Sequence, residues 1–413
     1  MPLKFVFGPS GSGKSTYLYQ HVIEESEKYP LKNFIVLVPE QFTMQTQKDL
    51  VSMHPRHGIM NIDVLSFARL AYRVFEETGT KQMQVLDDEG KNLILRKIAG
   101  DYENKLTVLK GNIKKLGYIS EVKSVISEFT QYDIGEEEMD EMLDHLDEDS
   151  RLYYKLKDIR LLYEGFQDYL RERYITKEEL LDVLNSQVKE SELLKNSVVV
   201  LDGFTGFTPV QNRLILELMR CCKEVWVTVT MDERENPYAY KHPYQLFGLS
   251  KQMVTTLISL AREEHIAVEE PVCLYGYPVK RFEKNKELAF LERNIFRYGA
   301  GTYEKEVKNL GIHVARNPGE EAMAVAEEIR KLVRKERYRY REIGVIVSDM
   351  NVYGDYLEQA FETYGIPVFM DHKRSILLNS FVEYLRSLLN MAEKNFSYES
   401  VFRFLRTNLA GFS

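Results

Sequence analysis

Leu3-Lys4-Phe5-Val6-Phe7-Gly8-Pro9-Ser10-Gly11-Ser12-Gly13-Lys14-Ser15-Thr16 stands at the start of the chain, and its reading decides the fold. The apolar run over residues 3–7 predicts a buried strand. Residues 16–28 predict a helix with Tyr17, Leu18 and Val22 on its inner side. Between them lies a phosphate-binding P-loop pattern, in which glycines let successive backbone N–H groups form an anion cradle at the positive end of the following helix. The pattern predicts that Gly8, Pro9, Ser10, Gly11, Ser12, Gly13, Lys14, Ser15 and Thr16 hold a nucleoside triphosphate, ATP with magnesium. Lys14 is expected on the β- and γ-phosphates and the Ser15 hydroxyl on the metal. A Gly/Ser-rich turn that binds nothing is the competing reading, and the flanking strand and helix weigh against it.

Beyond the loop the alternation continues. Phe34-Ile35-Val36-Leu37-Val38 is an uninterrupted apolar run of the kind found in parallel strands covered on both faces. A strand over residues 59–65 leads to an amphipathic helix from Ser66 that carries Phe67, Leu70, Ala71, Val74 and Phe75. Residues 87–195 lack any strand-like run and show apolar spacings of three and four, so an all-helical insertion is expected over about 80–195. In it Leu152, Leu156, Ile159, Leu162, Phe166 and Leu170 form one packing stripe, and the acids of residues 136–149 read as a solvated face. The sheet resumes at Ser197-Val198-Val199-Val200-Leu201, followed by a helix over 209–221 and a strand over 225–230. The pattern is α/β with a doubly wound sheet. Residues 232–310 are expected only as connection and edge structure, with one helix over 252–264. A second α/β unit is expected from strands over 312–315, 343–348 and 366–368 with helices over 319–335 and 353–364. The pattern is helical again after residue 375 and stays so over 405–413.

The 413 residues are too many for one ordinary core and predict two or three domains. With 44% apolar and 29% charged residues, disordered and collagen-like classes are excluded. A net charge of −8 argues against a uniformly basic nucleic-acid surface but leaves room for a local basic groove. Cys221, Cys222 and Cys273 give no paired framework or metal spacing, which suits a reducing, cytoplasmic setting. No export signal or membrane-length apolar run is read, so no membrane partner is expected. The uncapped last residues suggest the front part of a longer protein.

Asp202 ends a wholly apolar run, the place from which a P-loop protein's acid reaches magnesium. Asp202-Gly203 is also a common turn pair, but the P-loop it would face favours the metal role. Efficient ATPases place a glutamate beside this acid to orient water. Gly203 stands there instead, which predicts slow or absent hydrolysis. His54, Pro55, Arg56 and His57 lack further ligands at metal spacing and read as a polar loop. No nucleophile elbow is present. Tyr338, Tyr340 and their basic neighbours are read equally as a nucleic-acid contact or a solvated helix end.

Taken together, residues 8–15, Val38-Pro39-Glu40-Gln41-Phe42-Thr43, Asp63-Val64-Leu65-Ser66-Phe67-Ala68-Arg69-Leu70 and Leu201-Asp202-Gly203-Phe204-Thr205-Gly206-Phe207-Thr208-Pro209-Val210-Gln211 resemble the AddB family, the B subunits of bacterial ATP-dependent helicase/deoxyribonucleases. The resemblance runs through essentially the whole chain. It implies RecA-like superfamily 1 helicase motor domains: a first over 1–275 with its insertion, a connection over 276–310, the start of a second over 311–375, and a truncated helical insertion over 376–413. A nuclease domain with a 4Fe-4S cluster is implied beyond Ser413. Also implied are an AddA-like partner subunit and a nucleoid-associated, cytoplasmic role in resecting double-strand breaks for recombinational repair. The substrates would be duplex ends and single-stranded DNA, scanned for a hotspot sequence.

Against active motors of that kind, Gly203 replaces the catalytic glutamate and Ser348 stands where an arginine would reach the γ-phosphate. Met231-Asp232 replaces a Gly-Asp-x-x-Gln turn. The resemblance therefore implies an inactivated helicase module that keeps ATP. Gln41, Phe42, Thr43, Ser66 and Phe67 fall where such motors grip the single strand, although Phe67 equally fits the apolar stripe of its helix. Two other functions remain open from the residues: an active P-loop ATPase or small-molecule kinase, and a nucleotide-stabilised scaffold without DNA contact.

Overall fold

The computed structural model describes residues 2–79, 84–112, 115–171, 174–299, 301–371, 376–409 and 411. They fall into two compact units, Met1–Asn309 and Leu310–Ser413.

The first unit is built on six parallel strands: β1 (Leu3–Gly8), β2 (Asn33–Leu37), β3 (Ile62–Leu65), β6 (Ser197–Leu201), β7 (Glu224–Thr230) and β8 (Val272–Cys273), in the order β3-β2-β6-β7-β1-β8. Side chains alternate between faces along each strand, and here both faces are covered, which explains the unbroken apolar runs. Phe5, Phe7, Ile35, Leu37, Val199, Leu201, Val225 and Val227 pack on one side with α3 (Phe67–Thr78), α8 (Leu180–Gln187), α10 (Pro209–Cys221) and α11 (Gly248–Glu263). Val6, Phe34, Val36, Val198, Val200 and Trp226 pack on the other with α1 (Lys14–Lys28) and α2 (Thr43–Met53).

Two details correct the sequence reading of this unit. In α1 it is Leu18, Tyr19 and Val22 that are buried, whereas Tyr17 is exposed. The third strand begins at Ile62 rather than 59, because Met60 projects into solvent after the His54–Gly58 loop.

The insertion has its own core, formed by α4 (Asp88–Asp101), α5 (Leu116–Gln131), α6 (Glu136–Asp144) and α7 (Arg151–Leu170). Ile159, Leu162, Phe166 and Leu170 of the expected stripe are buried, while Leu152 in the first turn is exposed. The insertion is not purely helical: β4 (Gln84–Val85) and β5 (Tyr174–Ile175) pair in parallel where the chain enters and leaves it. Two buried charges brace it. Asp158 accepts the backbone N–H groups of Thr107, Val108 and Leu109. Lys91 meets Glu178 at 2.7 Å. From Leu180 to α9 (Glu192–Lys195) the chain rejoins the main core through Leu184, Val188 and Leu194.

After β7 and α11 the chain adds β8 at the sheet edge and then α12 (Lys286–Asn294). The second unit carries α13 (Pro318–Lys335), α14 (Met350–Thr363), α15 (Ser380–Glu393) and α16 (Tyr398–Leu405). Ala322, Ala326 and Ile329 of α13 pack on Leu357, Ala360 and Phe361 of α14. The strands expected over 312–315, 343–348 and 366–368 form no ladder among the described residues. Ile312, Val314 and Ile346 are almost fully exposed. A parallel strand needs hydrogen-bonding neighbours and cover on both faces, and here the helix pair covers one side only. Helix α16 stops at Leu405, so the helix expected over 405–413 is not seen among the described residues; 410, 412 and 413 lie outside them. No helix among the described residues is long and apolar enough to cross a membrane.

Candidate functional site

The loop between β1 and α1 is shaped by its glycines. Gly11 and Gly13 have φ of 82° and 95°, a left-handed backbone that side chains with a Cβ rarely adopt. At Gly8 a Cβ would lie 2.9 Å from the Leu274 carbonyl oxygen, so only glycine lets β8 approach. Within the loop, Ser12 N–H donates to Pro9 O at 3.2 Å. Helix α1 starts without a side-chain cap and without an acid in its first turn, which leaves its positive end free for an anion. The Ser12 hydroxyl is buried with no hydrogen-bond partner among the described residues, an orphan that a phosphate oxygen would satisfy.

Lys14 folds back on this loop and donates to Gly8 O at 2.9 Å and Pro9 O at 3.0 Å. Burial lowers its pKa to about 8; Asp202 and Glu292 oppose the shift, and the nearby Arg281 guanidinium adds to it. A lysine held in this state gains from an arriving phosphate, which would restore the ordinary preference for the charged form.

Asp202, at the end of β6, is buried. Its N–H donates to Leu37 O at 3.0 Å, and its carboxylate accepts the Tyr19 hydroxyl at 2.7 Å and the Thr228 hydroxyl at 2.6 Å. Strand register explains the second contact. Leu201 pairs with Val227, so the next residues, Asp202 and Thr228, are neighbours. Tyr19 comes from α1, one turn past the loop, and burial together with the Asp202 charge pushes its phenol well above the ordinary range. Gly203 follows with φ 79°, its N–H directed to the Thr228 hydroxyl at 3.3 Å. A glutamate at this position would have to adopt the left-handed conformation, so the turn itself disfavours one.

The DNA candidates divide. Gln41 and Phe42 lie exposed in the turn before α2. Thr43 is buried and donates to Glu40 O at 3.0 Å. Ser66 is buried as the N-cap of α3 and accepts the Arg69 N–H. Phe67 is buried against Phe204, with ring centroids 5.4 Å apart, and against Phe207.

Of the loop's further neighbours, Met231 and Asp232 are read from the sequence only as a departure from an active motor's turn, and Arg281 and Glu292 carry no signal in it. Met231 N–H donates to Gly8 O at 3.0 Å, and Asp232 beside it forms ion pairs with Arg234 and Arg297. Burial pushes the Asp232 pKa up, but these arginines hold it down at about 2. Glu292 of α12 is shifted up by burial and by Asp232. The turn at Lys280–Phe282 reaches the loop directly, its Arg281 N–H donating to Gly11 O at 3.0 Å. The pairing of β7 with β1 brings Met231 and Asp232 to the loop, and the return of β8 on the other side of β1 brings Arg281 and Glu292. Tyr19 and Thr228, by contrast, follow from helix spacing and strand register once the sheet order is known.

No group of three or more His, Cys, Asp or Glu side chains gathers in metal-binding fashion among the described residues. Cys221, Cys222 and Cys273 are free thiols.

Fold and site together define a parallel α/β unit with a P-loop sequence between its first strand and first helix. The chain belongs to the family described as ADDB, N-terminal, whose pattern matches residues 5–292. Over 420 residues it is 44% identical to the B subunit of the ATP-dependent helicase/deoxyribonuclease of Lachnoclostridium phytofermentans, a match covering 100% of this chain and 36% of that protein. The protein of the same name from Caldanaerobacter subterraneus subsp. tengcongensis is 36% identical over 414 residues, covering 100% and 35%. That of Clostridium kluyveri is 35% identical over 409 residues, covering 99% and 35%. The chain thus spans about a third of the length of these relatives.

Proposed function

We propose that the first unit is a RecA-like, ATP-binding module of the B subunit of a heterodimeric helicase/nuclease, one that holds ATP and hydrolyses it slowly or not at all. The observation that carries this is the convergence of Lys14, on the glycine cradle, with the buried Asp202 at the end of β6, which β7 separates from β1. Residues 8–16 would cradle the phosphates, and Lys14 would leave Gly8 O and Pro9 O for phosphate oxygens. Ser15 and Asp202 suit magnesium. That ion binds through one or two carboxylates plus water and phosphate, and each Asp202 oxygen keeps a lone pair beyond the hydroxyl it accepts. When bound, the ion neutralises phosphate charge. The left-handed Gly203 supports slow turnover, because the position beside Asp202 carries no base.

The relatives are named as subunits of a DNA-processing enzyme, and their role supports single-stranded DNA and duplex ends as substrates of the full-length protein, with an A subunit as partner. Break resection and hotspot recognition by the whole complex, in the cytoplasm, are the finer part of this proposal. In this chain the exposed Gln41 and Phe42 are the residues proposed to touch the strand, with Thr43, Ser66 and Phe67 holding their turn and helix in place. The second unit is proposed as the start of a second RecA-like domain.

The test is ATP binding and turnover with and without single-stranded DNA. The expected result is micromolar or tighter magnesium-dependent binding, lost in Lys14→Ala, with turnover far below motor rates. DNA-stimulated turnover at motor rates would overturn the inactive reading. Phosphoryl transfer to a metabolite would indicate a kinase instead.

A further inference from the structure

We propose that Lys280 and Arg281 clamp the phosphate tail of the bound nucleotide from outside the loop, so that the site is completed by a strap from the same unit. This rests on the ATP-binding reading above and concerns how the site tells a triphosphate from a shorter tail.

The geometry starts from the strap's course. β8 pairs with β1 at Val6 and Phe7, Leu274 N–H donates to Phe7 O at 2.8 Å, and the chain then turns back over the loop. The Arg281 stem lies against Gly11: a Cβ there would stand 2.8 Å from Arg281 Cβ and 3.4 Å from its Nε. The Lys280 stem flanks Gly13, with its Cδ 3.4 Å from where a Cβ would be. Two cations therefore bracket the two left-handed glycines that shape the cradle.

The strap is firmly footed. Val279 is buried beneath the turn. Arg293 pairs with Glu233 at 2.8 Å, Arg297 with Glu235 at 3.0 Å, and Glu235 with the buried Lys251 at 2.6 Å. The Arg234 guanidinium donates to Arg293 O at 2.6 Å. These anions serve the base of the strap. At its tip neither Lys280 nor Arg281 has a side-chain hydrogen bond or ion pair among the described residues, and both are exposed. Lys14 feels the Arg281 charge as a repulsion, with Asp202 and Glu292 as the opposing carboxylates.

Two exposed cations at the mouth of a glycine cradle, with no ion pair of their own among the described residues, call for a polyanion. A guanidinium forks onto phosphate oxygens and an ammonium adds a point charge, so the gain grows with the number of phosphate charges. The ligand class that fits is a nucleoside triphosphate, ahead of the diphosphate and monophosphate.

The experiment uses the whole chain and fluorescent ATP and ADP analogues. The variants are Lys280→Gln, Arg281→Gln, their combination and Arg281→Lys, with Lys14→Ala as reference and melting curves as the folding control. The combined variant is expected to weaken ATP binding about tenfold or more and ADP by less than about threefold, the scale of one or two charge-assisted hydrogen bonds, at unchanged melting temperature. Arg281→Lys is expected to recover part of the loss. If Lys14→Ala abolishes binding while the combined variant binds ATP like the parent, the strap is only structural and the proposal fails. Equal losses for ATP and ADP with a lowered melting temperature overturn it too. If Lys14→Ala itself changes nothing, the nucleotide site is wrong and the clamp falls with it.

Discussion

Ser197-Val198-Val199-Val200-Leu201 and Gly344-Val345-Ile346-Val347 look alike as sequence, yet the first is a fully buried central strand and the second leaves Ile346 98% exposed. The difference lies in their neighbours. β6 is hydrogen-bonded to β2 on one side and β7 on the other, and helices cover both faces. The run in the second unit borders a single helix pair and has no ladder partner among the described residues. An apolar run is thus a capacity to be a strand, which neighbours on both edges and cover on both faces turn into one.

The largest expected effect tests this contrast directly. Val199→Asp puts an unpaired carboxylate between two covered faces and should cost about 4 kcal/mol or more, enough to unfold the first unit. Ile346→Asp should stay within about 0.5 kcal/mol. Urea unfolding followed by circular dichroism measures both, and similar losses would break the comparison. Next in size is the insertion's ion pair between buried Lys91 and half-buried Glu178: Lys91→Met strands the carboxylate and should cost about 2 kcal/mol, whereas Glu178→Gln with Lys91→Met should recover part of it.

The end of β6 gives a smaller effect. Gly203→Ala and Gly203→Glu should each destabilise by about 1–2 kcal/mol. A Cβ there would meet Pro39 Cδ at an ordinary 3.7 Å, so the cost is backbone conformation rather than crowding. Gly203→Glu should not create ATP turnover, and a turnover gain in a phosphate-release assay would show that the missing glutamate alone had silenced the site.

The smallest effect is the pH dependence of Lys14. Its folded pKa of about 8 lies below the ordinary 10.5, so between these values the unfolded chain binds more protons than the folded one. The free protein should therefore gain stability as pH rises through this window, and Lys14→Met should not. Nucleotide affinity should run the other way, falling above pH about 8 as the free site loses its proton, with proton uptake on binding in calorimetry.

Much of the first unit is legible because its signals are local. Residues 3–16 carry strand, glycine turn and helix in one stretch, and Asp202 follows an apolar run that only a covered strand accommodates. The insertion's helices are legible from their spacing, but its two-residue ladder is not, since pairs that short leave no periodicity. Helix α2 escapes a sequence reading because its buried residues, Thr43, Thr46 and Leu50, include two polar ones. In the second unit the runs are evident as apolar, but the strands expected from them do not form, for want of neighbours.

By itself the sequence determined the cradle, because glycine's freedom at Gly11 and Gly13 and the chemistry of Lys14 and Ser15 are properties of residues and their spacing. In the first unit it also marked the runs that are buried in the parallel sheet, though the same reading failed in the second. Tertiary structure alone decided that Tyr19 and Thr228 hold Asp202, and that a strap with Lys280 and Arg281 lies over the loop. The reason is that charge and hydrogen bonding act through a few ångströms of space, and residues more than 180 positions apart along the chain, such as Tyr19 and Asp202, become neighbours only when β6 takes its place in the sheet.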